Sequence, residues 1–153
     1  MKTLFVDVIL PLPLPQLFTY RVPQNLNNSV QERVRVVVQF GRSKMYSGLV
    51  ANIHEKAPEN YQAKYIEQVL DDKPIVLSFQ LKFWKWLAKY YMCSLGEVLN
   101  VALPSGFKLS SETILHIHPS FEGDYKILND KEYLVAEALE NNDQLTLQEV
   151  APQ

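Results

Sequence analysis

Over the first seventy residues apolar side chains recur in short, β-branched runs cut by turn residues, a pattern that predicts strands with no helix between them. Thr3 to Leu10 alternates imperfectly and is rich in Val, Leu and Ile, which predicts a mostly buried strand interrupted by Asp7. Pro11, Pro13 and Pro15 stop it. Prolines at every second position fix φ and remove amide donors, so this connector is extended, rigid and unable to join the centre of a sheet. Leu17 to Val22 resumes strand character, and Pro23 with Asn25, Asn27 and Asn28 marks a turn. Arg33 to Phe40 is the clearest strand, and Gly41 ends it. After the polar connection Arg42-Ser43-Lys44, a strand returns from Tyr46 to His54, with Gly48 inside it marking a bulge or a close backbone approach. A fifth strand follows the polar loop 55–62, from Lys64 to Leu70.

From Ser78 the period changes to that of a helix, with Ser78 as its cap and Phe79, Phe83, Trp86, Leu87 and Tyr90 forming one broad apolar face. Lys82, Lys85 and Lys89 fall on the opposite stripe, while Trp84 and Tyr91 are expected to pack against neighbouring elements. A second helix is predicted from Leu95 to Ala102, terminated by Pro104 and Gly106. Ser111 to His118 reads as a further strand and Glu122 to Tyr125 as a turn. Asn129 caps a helix from Asp130 to Glu140 that buries Tyr133, Leu134, Ala138 and Leu139. Leu145 to Ala151 begins another helix, with Thr146 and Glu149 as a capping box.

The expected fold is therefore α+β. A small OB-like barrel of about five strands packs with an aromatic-rich helix, followed by a winged-helix-like segment that the end of the chain cuts short. Domains are expected at 1–108 and 111–153. Charge supports the division: residues 1–110 carry 13 Lys and Arg against 8 Asp and Glu, residues 111–153 only 2 against 9. The basic excess of the first part permits a polyanion as ligand. An apolar share of 47% with 21% charged residues fits a soluble globular chain. The single cysteine, Cys93, fits a reducing cytoplasm, and no apolar run is long enough to span a bilayer.

Enzyme signatures are absent: there is no phosphate loop, dinucleotide glycine motif, nucleophile elbow or HExxH. His116 and His118 share one face of their strand but have no supporting metal-ligand pattern, so no metal site is expected. Asp71-Asp72 reads as a solvated turn rather than a pair of acid–base carboxylates.

The ordered set DVILPLPLPQLFTYRVP, RVRVVVQFGR, YSGLV, KYIEQVLDDKPI and AKYYMCSLGEVLNVALP resembles the N-terminal region of the primosomal protein N′ (PriA) family of bacterial replication-restart helicases, over residues 3–108. The resemblance implies a non-catalytic module recognising the 3′ end of the nascent leading strand at stalled forks, followed by a winged helix. It also implies that the parent is an ATP-dependent 3′-to-5′ DNA helicase whose ATP, magnesium and zinc sites lie in other domains, with no cofactor here. Forked or 3′-ended DNA is the implied partner, and other primosome proteins and single-strand-binding protein are reached through the parent.

By the same resemblance Phe18, Thr19, Gly41 and Lys64 occupy the pocket for the terminal nucleotide. Phe18 offers a stacking face, Gly41 a close backbone approach, and Lys64 a mobile charge for phosphate. Taken alone, Phe18 also reads as core, Gly41 as a turn and Lys64 as surface. Thr19 departs from the family, which places an acidic residue there. A carboxylate accepts a charge-assisted bond from a 3′ hydroxyl, whereas a threonine makes a neutral one. Arg33, Arg35, Arg42 and Lys44 form the candidate phosphate patch, or a solvated hairpin. The alternative function is a protein-interaction module that docks restart partners or the helicase core.

Overall fold

The computed structural model describes residues 2–109, 112, 114–119, 121, 125, 128–142 and 144–150, with 147 and 148 described by backbone alone. The chain forms two compact units, Met1–Ser111 and Glu112–Gln153.

The first unit is built on five antiparallel strands: β1 (Phe5–Ile9), β2 (Phe18–Arg21), β3 (Arg35–Phe40), β4 (Lys44–His54) and β5 (Ile66–Val69). Their order in the sheet is β2-β1-β4-β3-β5. The sheet curls until its two edges meet, where Arg21 and Tyr65 form a parallel bridge and the Arg21 N–H reaches the Lys64 carbonyl at 2.8 Å. This is a half-barrel of the OB type, α+β once its helices are added. Side-chain alternation divides its residues between two cores. Val6, Val8, Tyr20, Val34, Val36, Val38, Val50 and Ile66 fill the concave interior. Ile9, Leu49 and Ala51 turn outward to meet Val76, Leu81, Trp84 and Leu99. Each fully buried aliphatic side chain in these layers contributes roughly 1.5–3 kcal/mol.

Two local devices shape the sheet near the candidate site. Between β1 and β4, Asp7 pairs with Asn52 but Val8 pairs with Val50, leaving Ala51 as an extra residue on β4. This bulge turns Asn52 and His54 to the face that carries Asp7. The proline connector consists of two tight turns in which the Leu12 and Leu14 amides bond the Leu10 and Leu12 carbonyls at 2.8 Å, each across a proline. Gly48 is a close approach, since an added Cβ would strike Val8 and lie 3.0 Å from the Ile9 carbonyl.

Two helices, α1 (Ser78–Tyr90) and α2 (Leu95–Ala102), cover the outer core. Ser78 is the first residue of α1 rather than its cap, and the Gln80 side chain accepts the Leu77 N–H at 2.8 Å. In α2 the Ser94 hydroxyl accepts the Glu97 N–H, and the Glu97 carboxylate accepts the Ser94 N–H at 2.8 Å. The face of α1 is a correction to the sequence reading. Leu81 and Trp84 are buried, whereas Phe79, Phe83, Trp86 and Tyr90 are all more than half exposed, and so is Tyr91. At 100° per residue these aromatics lie opposite the buried stripe, with Lys82, Lys85 and Lys89 along one flank. Both stripes of this helix are apolar, and the aliphatic one with Trp84 fits against Leu49, Val76 and Leu99.

In the second unit β6 (Ile114–Leu115) pairs antiparallel with β7 (Leu145–Thr146). The strand expected over 111–118 is thus only two residues in the described part; Ser111 and Thr113 lie outside it, as do Glu122, Gly123, Asp124 and Ala151. Helix α3 (Asp130–Glu140) is capped by Asn129, whose side chain accepts the Lys131 and Glu132 amides at 3.0 Å. Leu139 is its buried residue, while Tyr133 and Leu134 are exposed. Thr146 ends a strand and precedes α4 (Leu147–Val150), with its N–H and hydroxyl both bonding the Glu149 carboxylate.

Candidate nucleic-acid interface

Phe18, Thr19, Gly41 and Lys64 converge although they span 46 positions of sequence. With Tyr20, Gln39, Phe40, Tyr61 and Gln62 they line one open cleft of about 310 Å³. The cleft sits in the seam of the half-barrel, where β5 is too short to pair with the end of β3. Its floor is aromatic: the Phe18 ring meets Phe40 edge-on at 4.9 Å, and Phe40 meets Tyr46 at 6.4 Å. Phe18 is half-buried, so it is both a core ring and a cleft wall.

The polar groups of the cleft are tied to one another. Lys64 Nζ donates to the Gly41 carbonyl at 2.9 Å. Tyr61 Oη accepts the Thr19 N–H at 2.8 Å, holding loop 55–62 against the edge of β2. Tyr20 Oη donates to the Gln39 carbonyl at 3.2 Å, and burial pushes its phenol up to about 12, so it stays a neutral donor. Gly41 adopts φ +69° with open space around its missing Cβ, so the turn needs glycine for its conformation and leaves its backbone bare.

Thr19 also borders a second cleft lined by Asp7, His54, Lys56 and the loop through Asn60. Its hydroxyl donates to Asp7 Oδ1 at 2.8 Å, and Asp7 further accepts from Asn52 at 3.2 Å and faces His54 Nε2 at 3.2 Å. Burial alone would raise the Asp7 carboxyl, but the hydrogen bonds from Thr19, His54 and Asn52 outweigh it and hold the group below its ordinary value.

The four residues of the expected phosphate patch separate. Arg42 and Lys44 are exposed on the β3–β4 hairpin beside the cleft, where the Gln39 side chain braces the Arg42 carbonyl at 2.8 Å. Arg33 and Arg35 stand at the other end of β3, and Arg35 is a correction. Its guanidinium bonds both oxygens of Asp71, at 2.6 and 2.9 Å, and lies 4.5 Å over the Phe107 ring. Only 14% of its side chain and 11% of that of Asp71 are exposed, so its charge is spent internally and Asp71 is no solvated turn. The Arg35 hydrogen bonds outweigh burial and hold Asp71 below its ordinary value.

Sequence reasoning missed Tyr61, which lies in a loop without periodicity, and Asp7, whose signal was a lone charge inside an apolar strand. Among the described residues no group of three or more His, Cys, Asp and Glu could hold a metal ion, and no helix is long and apolar enough to cross a membrane.

Comparison with known proteins adds a decisive match: residues 7–104 fit the PriA family of 3′ DNA-binding domains (3′BD). The chain belongs to this family. The matched span of the PriA 3′BD fold runs from β1 to just past α2 and so takes in the whole cleft. The chain is 41% identical over 101 residues to the replication restart protein PriA of Haemophilus influenzae, covering 65% of this chain and 13% of that protein. It is 31% identical over 111 residues to PriA of Synechocystis, covering 69% and 13%, and 26% identical over 117 residues to PriA of Bacillus subtilis, covering 74% and 14%. The chain thus spans about one seventh of the length of these curated relatives. By family, the first unit is a DNA-binding module of the replication-restart type.

Proposed function

We propose that the seam cleft holds the 3′-terminal nucleotide of the nascent leading strand at a stalled fork. The observation that supports this is the convergence of Phe18, Thr19, Gly41 and Lys64 on one open cleft with an aromatic floor. In this reading the base stacks on Phe18 and approaches the bare backbone at Gly41. Lys64 exchanges the Gly41 carbonyl for a phosphate oxygen, and Arg42 and Lys44 guide the strand behind it. The module has no turnover of its own. It aligns the ATP-dependent 3′-to-5′ helicase of a longer parent on its template in the cytoplasm, and binding requires neither nucleotide nor metal. The second unit, a short strand pair with a capped helix, is winged-helix-like, and other primosome proteins and single-strand-binding protein are engaged through the parent.

The test is binding of single-stranded oligonucleotides with free and blocked 3′ ends at two salt concentrations. Tighter binding of the free end, weakening as salt rises, is expected. Equal affinity for both ends sinks end recognition, and the absence of salt-sensitive binding sinks the DNA reading.

A second reading, docking of restart partners or the helicase core, is favoured by the solvent face of α1. There Phe83, Trp86 and Tyr90 stack on one another at 5.8 and 5.1 Å, with Tyr91 edge-on at 5.0 Å, and all four rings are exposed. A contiguous aromatic face of this kind marks an interaction surface.

A further inference from the structure

The two clefts meet at Thr19, and behind Thr19 stands a carboxylate. Asp7 is directly opposite Thr19 in the β1–β2 register and opposite Asn52 in the β1–β4 register. The bulge at Ala51 brings His54 to the same face, so Thr19, Asn52 and His54 all close on the one carboxylate. Neither Asn52 nor His54 borders the seam cleft itself; they fix the position of Asp7, and Asp7 in turn fixes the Thr19 hydroxyl.

That hydroxyl has one proton and two lone pairs. The proton goes to Asp7 at 2.8 Å, which leaves Thr19 Oγ1 an acceptor. A hydroxyl whose proton is held by a carboxylate is polarised into a stronger acceptor, since successive hydrogen bonds reinforce one another. A 3′-terminal hydroxyl is a donor that suits this atom. A 3′-deoxy terminus offers no proton, and a 3′-phosphate brings negative charge toward Asp7.

We infer that Asp7 is a positioning residue that selects a terminal nucleotide with a free 3′ hydroxyl, acting through Thr19 Oγ1, which accepts from the nucleotide while donating to Asp7. The inference rests on the assignment of the seam cleft to the strand terminus. It gives the negative charge that selects the end to β1, one strand away from the residue that touches the nucleotide.

The experiment measures fluorescence-anisotropy affinities of the full chain for one oligonucleotide sequence ending in a 3′ hydroxyl, a 2′,3′-dideoxynucleotide or a 3′ phosphate. The wild type prefers the hydroxyl over the dideoxy end by roughly 5- to 10-fold. Asp7→Asn loses at least half of that ratio and binds the 3′-phosphate end more tightly, a gain that structural damage would not produce. Thr19→Val brings the ratio close to one. The double variant Asp7→Asn/Thr19→Asp, which moves the carboxylate onto β2, restores the preference and serves as the test should Asp7→Asn alone fold poorly. If the wild type prefers the hydroxyl but a folded Asp7→Asn keeps the full preference, whatever Thr19→Val does, the inference falls while the end-binding reading stands. A wild type that binds all three ends equally overturns both.

Discussion

The two ends of β3 carry the same kind of residue and put it to opposite uses. At one end Arg33 and Arg35 precede the strand's apolar run; at the other, roughly 20 Å away at 3.3 Å per residue, Arg42 and Lys44 follow it. Arg35 is locked onto Asp71 beneath Phe107 and serves the fold. Arg42 and Lys44 stand in solvent beside the Phe18 cleft. What separates a structural cation from a ligand-seeking one here is the acidic residue that the fold brings up from 36 positions away, not the cation or its strand.

The largest effect that would break this contrast lies at the closed end. Asp71→Ala strands the Arg35 guanidinium and the Arg35 N–H, and should cost about 2–3 kcal/mol in chemical denaturation while leaving oligonucleotide affinity nearly intact. The same carboxylate sets a pH dependence. Asp71 and Asp7 are both depressed below 3.8 in the folded chain, so their stabilisation is fully present above that value and is lost as pH falls through the lower folded value. Thermal melts should therefore show stability falling steeply below about pH 4, less so in Asp71→Ala.

At the open end, Phe18→Ala should lose roughly 1–3 kcal/mol of binding to a 3′-ended oligonucleotide. A thermal collapse with no separate change in affinity would return Phe18 to the core and leave the cleft without its stacking face.

The smallest effects sharpen the contrast by sign. Neutralising Arg42 and Lys44 to Gln should lower the slope of log affinity against log salt by about 0.7 per residue on a single strand. Removing a cation at the closed end should do the reverse of harm. Arg33 sits at φ +68°, and Arg33→Gly should be neutral to about 1 kcal/mol stabilising in denaturation, with an unchanged salt slope.

Much of this molecule was legible in its residues, and the gaps have physical causes. The five strands were found within two or three residues because β-branched runs and turn residues are local signals. The Asn129 and Thr146 caps were legible for the same reason. Phe18, Gly41 and Lys64 could be gathered only through resemblance, since nothing local links a strand start, a turn and a loop end. The face of α1 was misread because both of its stripes are apolar, and the choice between them depends on the surface it meets. The Arg35–Asp71 pair and the bulge at Ala51 were invisible because each depends on register between distant strands, and a single inserted residue leaves no mark on a short alternating run.

Gly96 lies at the first turn of α2, where any Cβ would run into the Leu10 and Leu12 carbonyls of the proline connector. With no side chain between them, helix and connector are seated backbone against backbone. Leu17, at the end of that connector, joins the same outer core immediately before Phe18. The ring at the cleft is thus mounted on the helical layer and does not swing on a free loop. A wall held in place before any ligand arrives has little conformational freedom left to surrender, and binding there keeps more of its contact energy as affinity.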